Sequence, residues 1–184
     1  MINLSKGGRV NLSKDDNGNK LSKVFFGANW GAIKSGGFMG FGGGTEAVDL
    51  DASVVLMDAS KRKLETVYFG HKDSSDRAIH HSGDDLVGGT NGDDGMDNET
   101  ISVELDRIRP EVEYVAFILN SYRHQRFDKI PYMGLRIYTT FVGREAIILG
   151  YAYRKDGEWK FKALGNTGSW QSIGEIERVL PNFI

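Results

Sequence analysis

Six carboxylates fall within His81 to Glu99, HSGDDLVGGTNGDDGMDNE: Asp84, Asp85, Asp93, Asp94, Asp97 and Glu99, with no lysine or arginine among them. Like charges this close raise one another's pKa and oppose a compact state. Such a stretch either stays open and solvated or is offset by a bound cation. Ca²⁺ takes roughly six to eight hard oxygen ligands, and carboxylates with backbone carbonyls supply them. Glycines let the chain turn tightly enough for several oxygens to converge. Spacing alone leaves both readings open. The stretch lacks the twelve-residue EF-hand pattern and the glycine spacing of the nonapeptide calcium repeat.

A second acidic element precedes a buried run. Asp49-Leu50-Asp51 leads into Val54 to Met57. In a strand, residues 49 and 51 project from the same face. Two carboxylates there are costly unless they are paired or bind a cation. With the acidic loop nearby they could complete one or two divalent sites. The plainer alternative is a pair of rim aspartates held by backbone N–H groups.

Other chemistries find less support. SGGFMGFGGG, residues 35–44, lacks the Gly-Lys-Ser/Thr ending of a phosphate loop, and no helix signal follows it. It reads as a connection between strands. His80 and His81 would point to opposite faces of a strand, a poor zinc arrangement, so the histidines read as structural. No nucleophile elbow or zinc-protease helix is present. The candidate ligands are all hard oxygens, which favours Ca²⁺ over a hydrolytic Zn²⁺ centre. A metal-assisted hydrolase built on Mg²⁺ or Mn²⁺ would lack a convincing general base.

The elements that must position these groups are mostly strands. Among 184 residues, 40% are hydrophobic and 26% charged, enough for a well-filled core. Ile101 to Leu105 and Leu135 to Tyr138 alternate apolar and polar. Val54 to Met57 and Val112 to Leu119 are near-continuous apolar runs, which suits strands covered on both faces. Thr66 to Phe69 reads as a short strand. Ala146 to Arg154 and Trp159 to Ala163 form a hairpin around Asp156-Gly157, with Trp159, Phe161 and Ala163 on one face and Lys160 and Lys162 on the other. The repeated Leu-Ser-Lys units at residues 4, 12 and 21 read as an N-terminal hairpin. Ser172 to Leu180 is the one good helix, with a capping box at Ser172 and Glu175 and a stop at Pro181. The expected architecture is a mostly β, antiparallel sandwich of two sheets with a short C-terminal helix, in one domain spanning residues 1–184.

Composition narrows function further. Net charge is −2, which argues against a nucleic-acid partner. Zero cysteines exclude disulfides and thiolate zinc sites. The opening MINLSKGGRVNLSK lacks an apolar core of signal-peptide type, and no run reaches membrane-spanning length. These features lead to the expectation of a cytoplasmic protein that does not itself span a membrane.

The order LSKGGRVNLSK, VDLDASVVLMD, HSGDDLVGGTNGDD, ISVEL and YAYRKDGEWKFKALG resembles the TerD family of bacterial tellurium-resistance and stress-response proteins. FFGANWGAI, the Gly-rich stretch and YVAFILNSYRHQRFDKI are most similar to its TerZ branch. The resemblance covers nearly the whole chain. It implies a two-sheet β-sandwich that binds Ca²⁺, with two ions expected, and has no enzymatic activity. It also implies a cytoplasmic protein acting with other ter-system proteins, including a membrane-embedded component at the inner membrane. Residue by residue, Asp49 and Asp51 match the family's D-L-D. Gly83-Asp84 opens its G-D-N, with Asp85 in third place. Gly92-Asp93-Asp94 match its G-D-D. The Glu expected next is Gly95 here, and an acidic end returns at Asp97-Asn98-Glu99, which reads as an insertion. The metal-site expectation is therefore Asp49, Asp51, Asp84, Asp85, Gly92, Asp93, Asp94, Asp97 and Glu99. The rival expectation is a Ca²⁺-dependent small-molecule or glycan-binding module, for which exposed loop aromatics such as Trp30 or Phe38 would be the clue.

Overall fold

The structure is a computed structural model that describes residues 7–12, 22–34, 44–135, 146–170 and 172–184. Its strands are β1 (Arg9–Asn11), β2 (Lys23–Trp30), β3 (Ile33–Lys34), β4 (Thr45–Glu46), β5 (Leu50–Met57) and β6 (Lys63–Val67). They continue with β7 (Ile79–His81), β8 (Glu99–Glu104), β9 (Tyr114–Ser121), β10 (Met133–Leu135), β11 (Ala146–Lys155) and β12 (Glu158–Gly168). Helix α1 (Ile173–Val179) follows. A six-stranded sheet has the order β1-β12-β11-β9-β5-β6, and a four-stranded sheet the order β10-β2-β8-β7. A two-stranded ribbon, β3-β4, flanks them, and the strand pairings are antiparallel.

The two larger sheets share one core. Val54 and Leu56 of β5 and Phe117 and Leu119 of β9 meet Ala28 and Trp30 of β2 and Ile101 and Val103 of β8. Phe26 stacks on Phe117 with ring centroids 3.8 Å apart. The alternate residues of the same two strands, Val55, Met57, Ala116 and Ile118, face outward and are covered by Ile176 and Leu180 at the C-terminus. Strands β5 and β9 thus bury both faces, the physical reason for their unbroken apolar runs. Each large side chain so covered stabilises the fold by about 1.5–3 kcal/mol.

Local signals act as expected at both C-terminal elements. Asp156 and Gly157 take φ of 56° and 76° in the β11–β12 turn, where Lys155 pairs with Glu158. Two positive φ values give the turn the twist of its flanking strands. The Ser172 hydroxyl accepts the Glu175 N–H, capping α1, and Pro181 ends it in a 3₁₀ turn at Leu180–Asn182.

One sequence expectation, the strand at residues 66–69, is corrected. Among the described residues β1 lies on β12, and β2 belongs to the other sheet. The rest of the Leu-Ser-Lys units lies mainly outside the described residues. The expected 66–69 strand is displaced to Lys63–Val67, because β6 pairs with β5 in the register Val54 to Val67. A ribbon, β3-β4, joins the two expected sheets. Residues 35–43 and 136–145, which include most of the glycine-rich stretch and the end of the Leu135 run, lie outside the described residues.

Candidate metal centre at the head of strand β5

Asp49 precedes β5 and Asp51 lies at its start, both on the face that carries Ser53, Val55 and Met57. Both are buried, at 2% and 7% exposure. Asp84, exposed on the loop after β7, closes over them. One carboxylate oxygen from each of the three can be chosen so that all lie within 4.8 Å of one another. Among the described residues this is the one group of three that meets such spacing.

The loop is brought there by backbone and side-chain anchors. Ser82 and Thr100 exchange hydrogen bonds, the Ser82 N–H to the Thr100 carbonyl and the Thr100 N–H to the Ser82 Oγ. The Gly83 N–H donates to His81 Nδ1 at 3.0 Å. That leaves His81 Nε2 as the donor to the Ala52 carbonyl at 3.0 Å. His81 is a fully engaged structural histidine on the inner face of β7, while His80 points out to Asp73.

Glu99 makes the decisive joint. It is 1% exposed at the start of β8. Its Oε2 accepts the Ala52 N–H at 2.8 Å, and its Oε1 accepts the Asp85 N–H at 3.1 Å. One buried carboxylate thereby ties the acidic loop to β5, in charge-assisted bonds roughly twice as strong as neutral ones. Period-two alternation already carries this signal, since Glu99, Ile101 and Val103 share the inward face.

Asp85 is committed to the loop itself. Its Oδ1 accepts the Val87 and Gly88 N–H groups, and its Oδ2 accepts the Asn98 amide at 2.8 Å. Burial raises its pKa, but bonds from Asn98, Val87 and Gly88 outweigh it and hold the carboxyl below its ordinary value.

The downstream residues go elsewhere. The Gly92 carbonyl accepts the Tyr132 hydroxyl at 2.8 Å. Asp93 Oδ1 accepts the Asn29 amide and the Gly95 N–H, and Asp94 Oδ1 accepts the Met96 N–H. The Asp97 carboxylate lies directly over Gly27 of β2, where a Cβ would stand 1.9 Å from its Oδ2. These four sit along β2 and residue 132, outside the triad. Burial, then Asp93 and Asp94, push the Tyr132 phenol up. Asn98 joins the two regions: its amide donates to Asp85, and its Oδ1 accepts the Trp30 N–H at 2.8 Å. Trp30 itself is fully buried beneath the loop, its indole N–H on the Val48 carbonyl. It is not an exposed aromatic beside the acidic site, and Phe38 lies outside the described residues.

The triad crowds acidic groups that are only partly compensated. Burial, then Glu99 and Asp49, push the Asp51 carboxyl up to about 7. Asn120, its partner across the β5–β9 register, donates to Asp51 Oδ2 at 3.2 Å and opposes the rise. Burial and Asp84 raise Asp49, against Arg123, whose Nε is 3.4 Å from Asp49 Oδ2. One half-exposed guanidinium thus pairs with Asp49 in a cluster of three carboxylates. The donors are all hard oxygens, two of them desolvated, a set that fits Ca²⁺. Sequence reasoning missed Asn120 and Arg123. Asn120 ends an apolar run, and only the strand register places it opposite Asp51.

Fold and site together define an antiparallel β-sandwich with an all-oxygen acidic cluster at one rim. The TerD domain model matches residues 1–176, and the chain belongs to that family of tellurium-resistance and stress-response proteins. It is 34% identical to the tellurium resistance protein TerZ of Serratia marcescens, over 96% of this chain and 95% of that protein. It is 33% identical to the stress response protein SCP2 of Bacillus subtilis (strain 168), over 89% of this chain and 91% of that protein. A solved homologue of the telluride resistance protein from Streptomyces coelicolor A3(2) has a TM-score of 0.65 at 20% identity, covering 85% of this chain and 95% of its own. None of these names is that of an enzyme. Among the described residues no helix is long and apolar enough to cross a membrane.

Proposed function

We propose that this chain is a non-enzymatic Ca²⁺-binding protein of a tellurium-resistance or chemical-stress system, acting through a calcium-ordered loop that contacts other proteins of that system. The observation that carries this reading is the convergence of Asp49, Asp51 and Asp84, two of them buried, with ligand oxygens within 4.8 Å of one another. Asp49 and Asp51 would hold the ion from the strand and Asp84 from the loop. The bound cation supplies positive charge that the cluster lacks. Glu99 and Asp85 do not need to touch it, because they shape the loop that brings Asp84 in.

The consequence for contacts follows from what that loop displays. Leu86 and Val87 are exposed immediately beyond Asp85. The Val87 carbonyl accepts the Val48 N–H, next to Asp49. Fixing Asp84 fixes the loop that presents these two apolar side chains, a coupling of metal binding to local order. The relatives' names, tellurium resistance and stress response, support the cellular setting. One ion is proposed at the triad. The second ion expected from the sequence has no comparable group among the described residues.

The test is a Ca²⁺ titration of EDTA-stripped protein by calorimetry and thermal melting. A saturable site is expected, with Mg²⁺ a poor substitute. At a thousand times the dissociation constant, binding stabilises the fold by about 4 kcal/mol. No binding at millimolar Ca²⁺ would overturn the assignment.

A further inference from the structure

Behind the triad, on the same face of β5, lies a cavity of about 220 Å³. Its floor carries Asp51, Ser53 and Asn120, and its walls are Tyr68, Phe69 and Tyr122. The start of α1, at Ser172 and Ile173, closes one side. Ser53 is 2% exposed, and its Oγ has no hydrogen-bond partner among the described residues. A buried hydroxyl without a partner costs about 1–3 kcal/mol, and native proteins retain few of them. Here Ser53, its hydroxyl buried, belongs to the lining of an open cavity beside exposed aromatic rings.

We propose that this cavity binds a neutral, polyhydroxylated ring of monosaccharide size, with Ser53 as its buried polar anchor.

The lining selects that chemistry. Among the described residues no lysine, arginine or histidine lines it, and the one carboxyl that does, Asp51, repels an anion. A cation is disfavoured as well, because the adjoining triad already places a divalent ion against Asp51; this exclusion alone rests on the metal site proposed above. The remaining polar groups match hydroxyls, which both donate and accept. Asn120 commits its amide N–H to Asp51 and leaves Oδ1 as an acceptor. Ser172 Oγ accepts the Glu175 N–H and leaves its own O–H to donate. Ser53 can do either. Tyr68, packed edge-on against Phe69 at 5.4 Å, and Tyr122, 64% exposed, offer apolar faces to the C–H surface of a ring. One face of the ligand would stack while its hydroxyls reach the floor, the division of labour usual in small-ligand pockets.

The experiment is saturation-transfer NMR, with backbone amide shifts, on the full chain in Ca²⁺ and in EDTA. The probes are D-glucose, D-galactose, D-ribose and myo-inositol, with gluconate and choline as charged comparators. At least one neutral probe is expected to saturate and to shift the amides of residues 53, 120 and 173. Loss of one buried hydrogen bond in Ser53→Ala should weaken it about fivefold. That variant removes the orphan hydroxyl, so its melting temperature should hold or rise, which separates lost binding from lost folding. Tyr122→Ala, at an exposed position, should weaken it independently. Binding of choline or gluconate in preference to every neutral probe overturns the proposal. So does the absence of any saturating probe, or unchanged affinity in both variants. If a neutral probe binds through Ser53 while Ca²⁺ does not bind, the cavity stands and the metal assignment falls.

Discussion

The acidic stretch is two structures, not one. Upstream, residues 82–88 fold against the head of β5: Asp85 saturates itself with local N–H groups, Glu99 ties the turn down, and Asp84 is left to meet Asp49 and Asp51. Downstream, residues 92–97 run along β2, and Asp93 and Asp94 accept local N–H groups at an exposed surface. Both regions are rich in aspartate and glycine. They differ in what lies beneath. The upstream region faces buried carboxylates that water does not screen; the downstream region faces water, Asn29 and Tyr132. On the proposed reading, negative charge becomes a site where it is desolvated and converges, and remains a solvated turn where it is not.

The sharpest test of that contrast is the pair Asp49→Asn and Asp51→Asn against Asp93→Asn. Each upstream change should lower Ca²⁺ affinity by on the order of 100-fold, at the upper end of what even outer-shell changes cause. Asp93→Asn should leave affinity within about twofold, since it lies outside the triad. Calorimetric titration of the three variants measures this, and equal losses in all would erase the distinction between the regions.

Next in size is Glu99→Ala. It strips the Ala52 and Asp85 N–H groups of their shared acceptor in a buried place, which should cost about 2–4 kcal/mol of stability. Ca²⁺ affinity should fall about tenfold as well, because the loop carrying Asp84 loses its tie. Urea unfolding with and without Ca²⁺ reads both effects. A change in affinity with no change in stability would make Glu99 a direct ligand and not a joint.

The pH dependence comes third. Asp51 has its folded pKa raised to about 7 from an ordinary 3.8. Between those values the folded chain holds a proton that the unfolded chain has released. Stability of the metal-free protein should therefore fall as pH rises across that window, by at most about 1.4 kcal/mol per unit. Below the window both states are protonated and this contribution is flat. Asp85, whose pKa is lowered, works in the opposite sense at more acid pH, its contribution being lost as pH falls. Calcium must displace the Asp51 proton, so affinity should decline up to about tenfold per unit below pH 7. Thermal melts of the EDTA-stripped protein across pH 4.5 to about 7.5 check the sign, and a flat profile would mean that Asp51 is not desolvated as described.

The smallest effect should come from Asp94→Asn. It keeps an oxygen for the Met96 N–H at an exposed turn, so stability should move by less than about 0.5 kcal/mol. A loss above that, read from the same urea curves, would show that the downstream region is more than a solvated turn.

Much of the frame was legible in the chain. Period-two alternation marked Ile101 to Leu105, continuous apolar runs marked β5 and β9, Asp156-Gly157 marked the hairpin, and Ser172 with Glu175 marked the helix start. Each rests on forces acting within a few residues: side-chain alternation, positive φ, or a cap. Pairing Asp49 with Asp51 on one face needed only the geometry of a strand. By itself, then, the sequence determined the family, the β character and the acidic chemistry. It could not decide which of its many carboxylates converge, because that depends on register between strands distant in the chain. The β5–β9 register sets Asn120 opposite Asp51. The inward position of Glu99 on β8 makes it the joint that holds the loop. Only the packed sandwich buries Trp30 beneath that loop, leaves the Ser53 Oγ without a partner among the described residues and opens a cavity beside it. Burial, unlike residue type, is a property of the whole chain at once, and burial is what separates a binding carboxylate from a solvated one.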